Sequence, residues 1–283
     1  MTVVPEELRA LDDAGIPYRI RKPATELERD IELSAADLER ATDALHAAGW
    51  RRVHSPDPRH AFFVEVRDGR WTKLDAKLGG VRGRGRTLPT LRRRAPIVAF
   101  VGPDGAGKST VVAQVAALIP FGVRAPYLGG RGGGGSPRPR AAAPKSSVRE
   151  TIGVVRDVAR ASRLLAREHF ASARGAIVLC DRHPKEILAV RPPRPRLAAA
   201  LERLLVRALP WPDALVVLEA PPGVLHARKP EHPLERLEGW LRSYRDELGP
   251  RGAQFLDTTA PTEETVRAAS ELVWRAVEER MGL

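Results

Sequence analysis

The eight residues GPDGAGKS, Gly102 to Ser109, concentrate the chemistry this sequence can do. They fit the pattern G-x-x-x-x-G-K-[ST], whose glycines let backbone N–H groups turn inward around phosphate oxygens. A strand-like run, PIVAFV (96–101), precedes them, and a helical pattern over Lys108–Ile119 follows. The turn therefore sits at the positive end of a helix dipole, where anions bind. Gly102, Gly105, Ala106 and Gly107 shape the cradle, Lys108 is a point charge for the β and γ phosphates, and the Ser109 hydroxyl is a magnesium ligand. The ligands this implies are ATP and Mg²⁺. Farther on, VLCDRH places Asp181 at the carboxyl end of a buried strand with Arg182 beside it. A carboxylate there can hold the magnesium water shell. A surface ion pair at a strand end is the plainer account of the same two residues.

These groups need a scaffold, and the second part of the chain supplies one. Apolar runs at 96–101, 123–128, 176–180, 214–219 and 253–257 alternate with helical patterns over Lys108–Ile119, Val148–Ala173, Arg196–Leu209, His232–Leu248 and Thr262–Met281. Strands apolar throughout, each followed by a helix, predict a five-stranded parallel sheet covered on both faces, an α/β P-loop NTPase domain over 96–283. The stretch VRGRGRTLPTLRRRAP reads as a basic linker over 81–95, and GGRGGGGSPRPRAAAPK as a flexible loop over 129–145. Residues 1–80 read as a separate small α/β domain. ERDIEL is a strand, SAADLERATDALHAAG a helix capped by Ser34, and HAFFVEVRDGRWTKLDAKL a hairpin turning at Asp68-Gly69.

Composition narrows the classes. No run of about 18 apolar residues exists, which excludes a transmembrane helix, and the acidic start MTVVPEELRALDDAG is no secretory leader. The expectation is a cytoplasmic protein with no membrane contact. The one cysteine, Cys180, rules out an internal disulfide and a thiolate metal cluster, and reads as an inert core thiol. His46, His54, His60, His169, His183, His226 and His232 show no metal-ligand spacing. The net charge of +12 invites a polyanion reading, but Arg82, Arg84, Arg86 and Arg92 to Arg94 crowd a glycine-rich stretch, and Arg138, Arg140, Arg191, Arg194 and Arg196 lie among prolines. Few aromatics are near them for bases to stack on, so solvated linkers are favoured over nucleic-acid binding.

FVGPDGAGKST, then GAIVLCDRH, PDALVVLEAPPGVLHARKPEHPLERL, YRDEL and FLDTTAPTEETVRAASELV together resemble the thymidylate kinase family over nearly all of 95–283. The resemblance implies that Lys108, Ser109 and Thr110 bind ATP and magnesium, that Asp104 faces the acceptor sugar, and that Asp181 and Arg182 lie at the transferring phosphate. It also implies a basic lid carrying Arg228 and Lys229, with Arg236 beyond the breaks at Pro230 and Pro233. A hinged lid there is physically sensible, because phosphoryl transfer depends on positioning and charge neutralisation. A solvated basic helix end is the plainer alternative. The family's Arg-Glu-Pro-Gly acceptor segment is replaced here by YLGGRGGGGSPRPR, which leaves the acceptor open.

In the first domain, DIEL with Asp30 and Glu32, and KLDAKLG with Asp75, resemble a minimal nucleotidyltransferase. Alternate residues of a strand share a face, so these carboxylates can face common metal ions. The family's Gly-Ser turn is replaced by RIRKPATELER, which favours a degenerate module over an active one. Taken together, the sequence points to an ATP- and Mg²⁺-dependent nucleoside monophosphate kinase-like phosphotransferase acting on a small-molecule acceptor. Lys108, Asp181, Arg182, Arg228 and Lys229 are its expected catalytic groups, and a homodimer is left open. A P-loop regulator or scaffold, and a nucleic-acid-associated ATPase, stand as alternatives.

Overall fold

The computed structural model describes residues 6–22, 25, 27–53, 55, 57–79, 94–129, 147–190 and 194–283. Most of the linker and nearly all of the glycine-rich loop named above lie outside those residues.

The P-loop half is built on strands β6 (Ile97–Val101), β7 (Val123–Arg124), β8 (Ile177–Asp181), β9 (Ala214–Glu219) and β10 (Gln254–Asp257). They pair in the order β10-β9-β6-β8-β7, parallel throughout. Both central strands, IVAFV and IVLCD, are buried at every position, as strands covered on both faces must be. Helices α3 (Lys108–Leu118) and α8 (Thr262–Met281) cover one face. Helices α4 (Ser147–Ala173), α5 (Arg196–Ala208) and α7 (Leu234–Leu248) cover the other.

Two boundaries in this half differ from expectation by two residues or more, each because of a proline. Only Val123 and Arg124 join β7, since Pro126 has no N–H to donate. The chain continues instead through a bridge from Tyr127 to Asp181. Helix α7 starts at Leu234 rather than His232, because Pro233 is itself extended, with ψ 156°, and a proline disfavours a helical residue before it. Two elements were not foreseen: α6 (Pro222–Arg228) and a 3₁₀ turn over Pro184–Leu188.

The amino-terminal half holds α1 (Arg9–Asp13), α2 (Leu38–Ala47) and strands β1 (Tyr18–Ile20), β2 (Glu28–Ser34), β3 (Arg51–Val53), β4 (His60–Arg67) and β5 (Arg70–Gly79). Their order is β1-β2-β5-β4-β3, with β2 and β5 parallel and the other pairs antiparallel. Ser34 accepts the Ala36 N–H at the start of the helical segment, as its cap position requires.

This sheet is sandwiched. Ile31, Leu33, Phe63 and Leu74 face α1 and α2, while Val53, Phe62, Val64 and Trp71 share a core with α3 and α8. The Trp71 ring meets Trp274 edge-on at 5.1 Å, and its N–H donates to the buried Ser270 hydroxyl at 2.8 Å. The β4–β5 turn presses on the α8 backbone. A Cβ on Gly69, whose φ is +70°, would lie 2.4 Å from the Arg267 carbonyl oxygen. The linker ends before residue 95: Ala95 is buried and exchanges hydrogen bonds with Ser172.

Candidate active site

The P-loop leaves β6 and enters α3 at the carboxyl edge of the parallel sheet. Gly102 has φ +141°, and a Cβ there would stand 2.3 Å from the Leu218 carbonyl oxygen of β9, so no side chain fits. Gly107 caps α3, and Ser109 and Thr110 in its first turn are exposed. Lys108 is buried. Its ammonium donates to the carbonyls of Gly102 and Pro103 at 2.8 Å each. Burial, with Arg182 nearby, lowers its pKa to about 8.

Asp181 ends β8 against this helix. Its Oδ2 accepts the Ser109 hydroxyl at 2.5 Å, while its Oδ1 is buried with no hydrogen-bond partner among the described residues. Buried carboxylate oxygens are normally answered, so an orphan beside a hydroxyl marks room for a cation. Two hard oxygen donors, one of them unspent, fit Mg²⁺.

Arg182 adopts φ +70°, a left-handed conformation that costs a non-glycine residue roughly 1–3 kcal/mol. That backbone turn aims its guanidinium across the cradle. One arm reaches Asp104 at 2.5 Å, the other Glu186 at 3.1 Å. Burial would raise the Asp104 carboxyl, but Arg182, Lys108, Lys229 and His232 outweigh it and hold the pKa below the usual range.

Glu186, from the 3₁₀ turn, was not foreseen and is the hub of the site. Besides Arg182 it accepts the Gly102 N–H at 3.2 Å and the buried Tyr244 hydroxyl of α7 at 2.5 Å. Burial, then Glu186, pushes the Tyr244 pKa well up, so this phenol keeps its proton to donate. One carboxylate thus ties together the P-loop, Arg182 and the helix that follows the expected lid.

The lid segment divides its residues. Lys229 acts on Asp104 and lies 3.4 Å from Glu231. Arg228 instead donates both arms to Thr258, at 3.1 Å to the hydroxyl and 2.7 Å to the carbonyl. Arg236 is exposed. His232, unassigned from sequence, stands 3.8 Å from Asp104 and meets Trp240 edge-on. His183 is packed rather than open. It accepts the Lys185 N–H at 3.2 Å, and burial lowers its pKa to about 3. Cys180 is buried, which pushes its thiol up to about 12.

The amino-terminal carboxylates also meet, with one substitution in the set. Asp30 lies opposite Asp75, and Glu28 rather than Glu32 completes the cluster. Glu32 pairs outward with Arg19 at 3.6 Å. The cluster is answered by the chain's own side chains: Lys22 on Asp30 at 2.8 Å, Lys73 on Glu28 at 2.5 Å and the His60 ring on Asp75 at 2.6 Å.

No family model matches the chain. A thymidylate kinase of Thermomicrobium roseum is 30% identical over 207 residues, covering 65% of this chain and 95% of that protein. A solved thymidylate kinase from Candida albicans aligns with a TM-score of 0.47 at 13% identity, over 64% of this chain and 92% of that one.

Proposed function

This chain belongs to the thymidylate kinase family, and from that premise we propose that it transfers the γ-phosphoryl group of ATP, with Mg²⁺, to a nucleoside monophosphate or a related small acceptor. The observation that carries the reading is the Ser109–Asp181 pair, with its unspent carboxylate oxygen, at the mouth of a complete P-loop. Phosphoryl transfer needs charge neutralisation and alignment more than covalent chemistry, and those are what this set can supply.

Lys108 holds its charge on two carbonyls of its own loop, from which it turns to the β and γ phosphates. The Ser109 hydroxyl and the Asp181 carboxylate would hold Mg²⁺, which when bound neutralises phosphate charge. Asp104 accepts a hydroxyl of the acceptor, and Arg182, aimed across the cradle, meets the charge that spreads over the moving phosphoryl group. An acceptor oxygen bonds to the γ phosphorus as the bond to the β–γ bridging oxygen breaks, and ADP leaves with that electron pair. Lys229 faces the loop and adds positive charge. Arg228 does so only by leaving Thr258.

The test is ADP release from Mg-ATP against a panel of nucleoside monophosphates, thymidylate among them, and phosphosugars. Acceptor-dependent release that falls about 10³-fold in Lys108→Ala is expected. ATP binding with no acceptor raising turnover would overturn the reading.

A further inference from the structure

The P-loop occupies the carboxyl edge of the parallel sheet. At the amino edge a cavity of about 310 Å³ opens between the starts of β9 and β10 and the second half of α8. Trp211 stands on one side of it, 38% exposed, on a stretch that Pro210 and Pro212 stiffen by fixing φ before and after it. Leu215, Leu272 and Ala276 line the cavity with apolar groups. Arg251 and Arg275 line it with charge, and both are exposed.

The charges here do not balance. Of the two acidic residues that line the cavity, Asp213 accepts the Ile97 N–H at 2.8 Å and pairs with Arg280 at 3.5 Å, which leaves Glu279 beside two guanidinium groups. Arg251 lies 3.6 Å from Glu247, and Arg275 has no ion pair among the described residues. A third cation stands against the indole. Lys185 is fully buried, with its ammonium 4.5 Å from the centre of the Trp211 ring, where it donates to the Arg207 carbonyl at 3.0 Å and meets no carboxylate among the described residues. Burial, then Arg251, lowers its pKa to about 8, so the field at this wall is positive.

We propose that this cavity binds a small planar aromatic anion, with its ring against Trp211 and its anionic group between Arg251 and Arg275. Binding cavities are mostly apolar with a few placed polar groups, and a volume near the lower end of their range suits one ring system carrying one anionic group. The indole offers a flat face for stacking, and guanidinium forks match the oxygens of a phosphate or a carboxylate. A nucleoside monophosphate and an aromatic carboxylate share that chemistry. Other occupants fit less well. A cation would meet three positive groups, and a neutral ring would leave the arginines unanswered. The cavity lies at the opposite edge of the sheet from the P-loop, so the proposal does not depend on the transfer reaction.

The experiment labels the five tryptophan indoles of the full chain with ¹⁵N and follows their N–H signals during titration, with Trp211→Phe identifying the Trp211 signal. Trp240, which meets His232 beside Asp104, reports on the P-loop centre separately. The probes are thymidine monophosphate and naphthoate, with thymidine and inorganic phosphate as comparisons. Saturable movement of the Trp211 signal with at least one probe, and with neither comparison at the same concentration, is expected, and the probe that acts names the source of the anion. Arg251→Ala/Arg275→Ala should bind it about 10- to 100-fold more weakly. Both positions are exposed, and melting curves confirm the fold. Three results would each overturn the proposal: a Trp211 signal that neither probe moves, equal movement by thymidine or by inorganic phosphate, the latter marking an adventitious ion only, or unchanged affinity in the double variant. A chain that transfers phosphate to no acceptor would leave this readout intact, so the kinase reading and this site fail separately.

Discussion

Both sheets carry carboxylates at strand positions, Asp181 on one and Asp30 with Asp75 on the other, and they differ in what is left unpaired. At Asp181 one oxygen is taken by Ser109 and the other is buried without a partner among the described residues, while the nearby cations are held elsewhere, Lys108 on carbonyls and Arg182 on Asp104 and Glu186. At Asp30 and Asp75 every carboxylate is met by Lys22, Lys73 or His60. Lys73 is 4% exposed and rests 4.3 Å over the Phe62 ring, so its charge is part of the packing. The difference teaches that proximity of acids is weak evidence for catalysis. A buried atom left unanswered is stronger evidence, because its desolvation cost persists unless a ligand relieves it.

The largest effect that sharpens this contrast is expected at Lys108. Lys108→Met should abolish transfer, about 10³-fold or more, yet raise the melting temperature of the free protein at neutral pH, since a buried ammonium without a carboxylate partner is removed. Glu186→Gln comes next. Its amide oxygen still accepts from Gly102 and Tyr244, but its amide nitrogen faces Arg182 as a second donor. We expect kcat to fall about 10- to 100-fold with ATP affinity unchanged, and an unaltered kcat would remove Glu186 as a positioning residue.

A smaller effect concerns pH. The Lys108 pKa is about 8 when folded and 10.5 in its unperturbed state. Below about pH 8 both states hold the proton and the burial cost is fully present. Above it the folded state sheds the proton first, so stability should rise with pH toward 10.5. ATP affinity should fall over the same window, by up to about tenfold per unit, as isothermal titration can check. Gly69→Ala perturbs the junction instead. It should cost roughly 2–4 kcal/mol in denaturant unfolding, by clash with α8, while transfer by the folded protein is little changed.

Much of this was legible beforehand because local rules governed it. The five apolar runs became the five strands of the parallel sheet, and the Asp68-Gly69 dipeptide became the hairpin turn, with both residues at positive φ. Helix α6 was missed because its seven residues include Gly223, although Pro222 at its first position is a start signal. Glu186 was invisible because its partners Gly102 and Tyr244 are 84 and 58 residues away. The docking of β4 and β5 on α3 and α8 had a signal that the linker obscured. AFFV is apolar on both faces of its strand, so a second layer had to cover it. The Glu28-for-Glu32 exchange was set by register, which pairs Asp30 with Asp75 and Glu32 with Lys77.

The most direct measurement compares phosphoryl transfer by two variants in one acceptor panel, Asp181→Asn and the double variant Asp30→Asn/Asp75→Asn. The account predicts a loss of about 10³-fold in the first and a rate within about twofold of wild type in the second. Loss of transfer in the double variant, with Asp181→Asn active, would place the chemistry on the other sheet and contradict it.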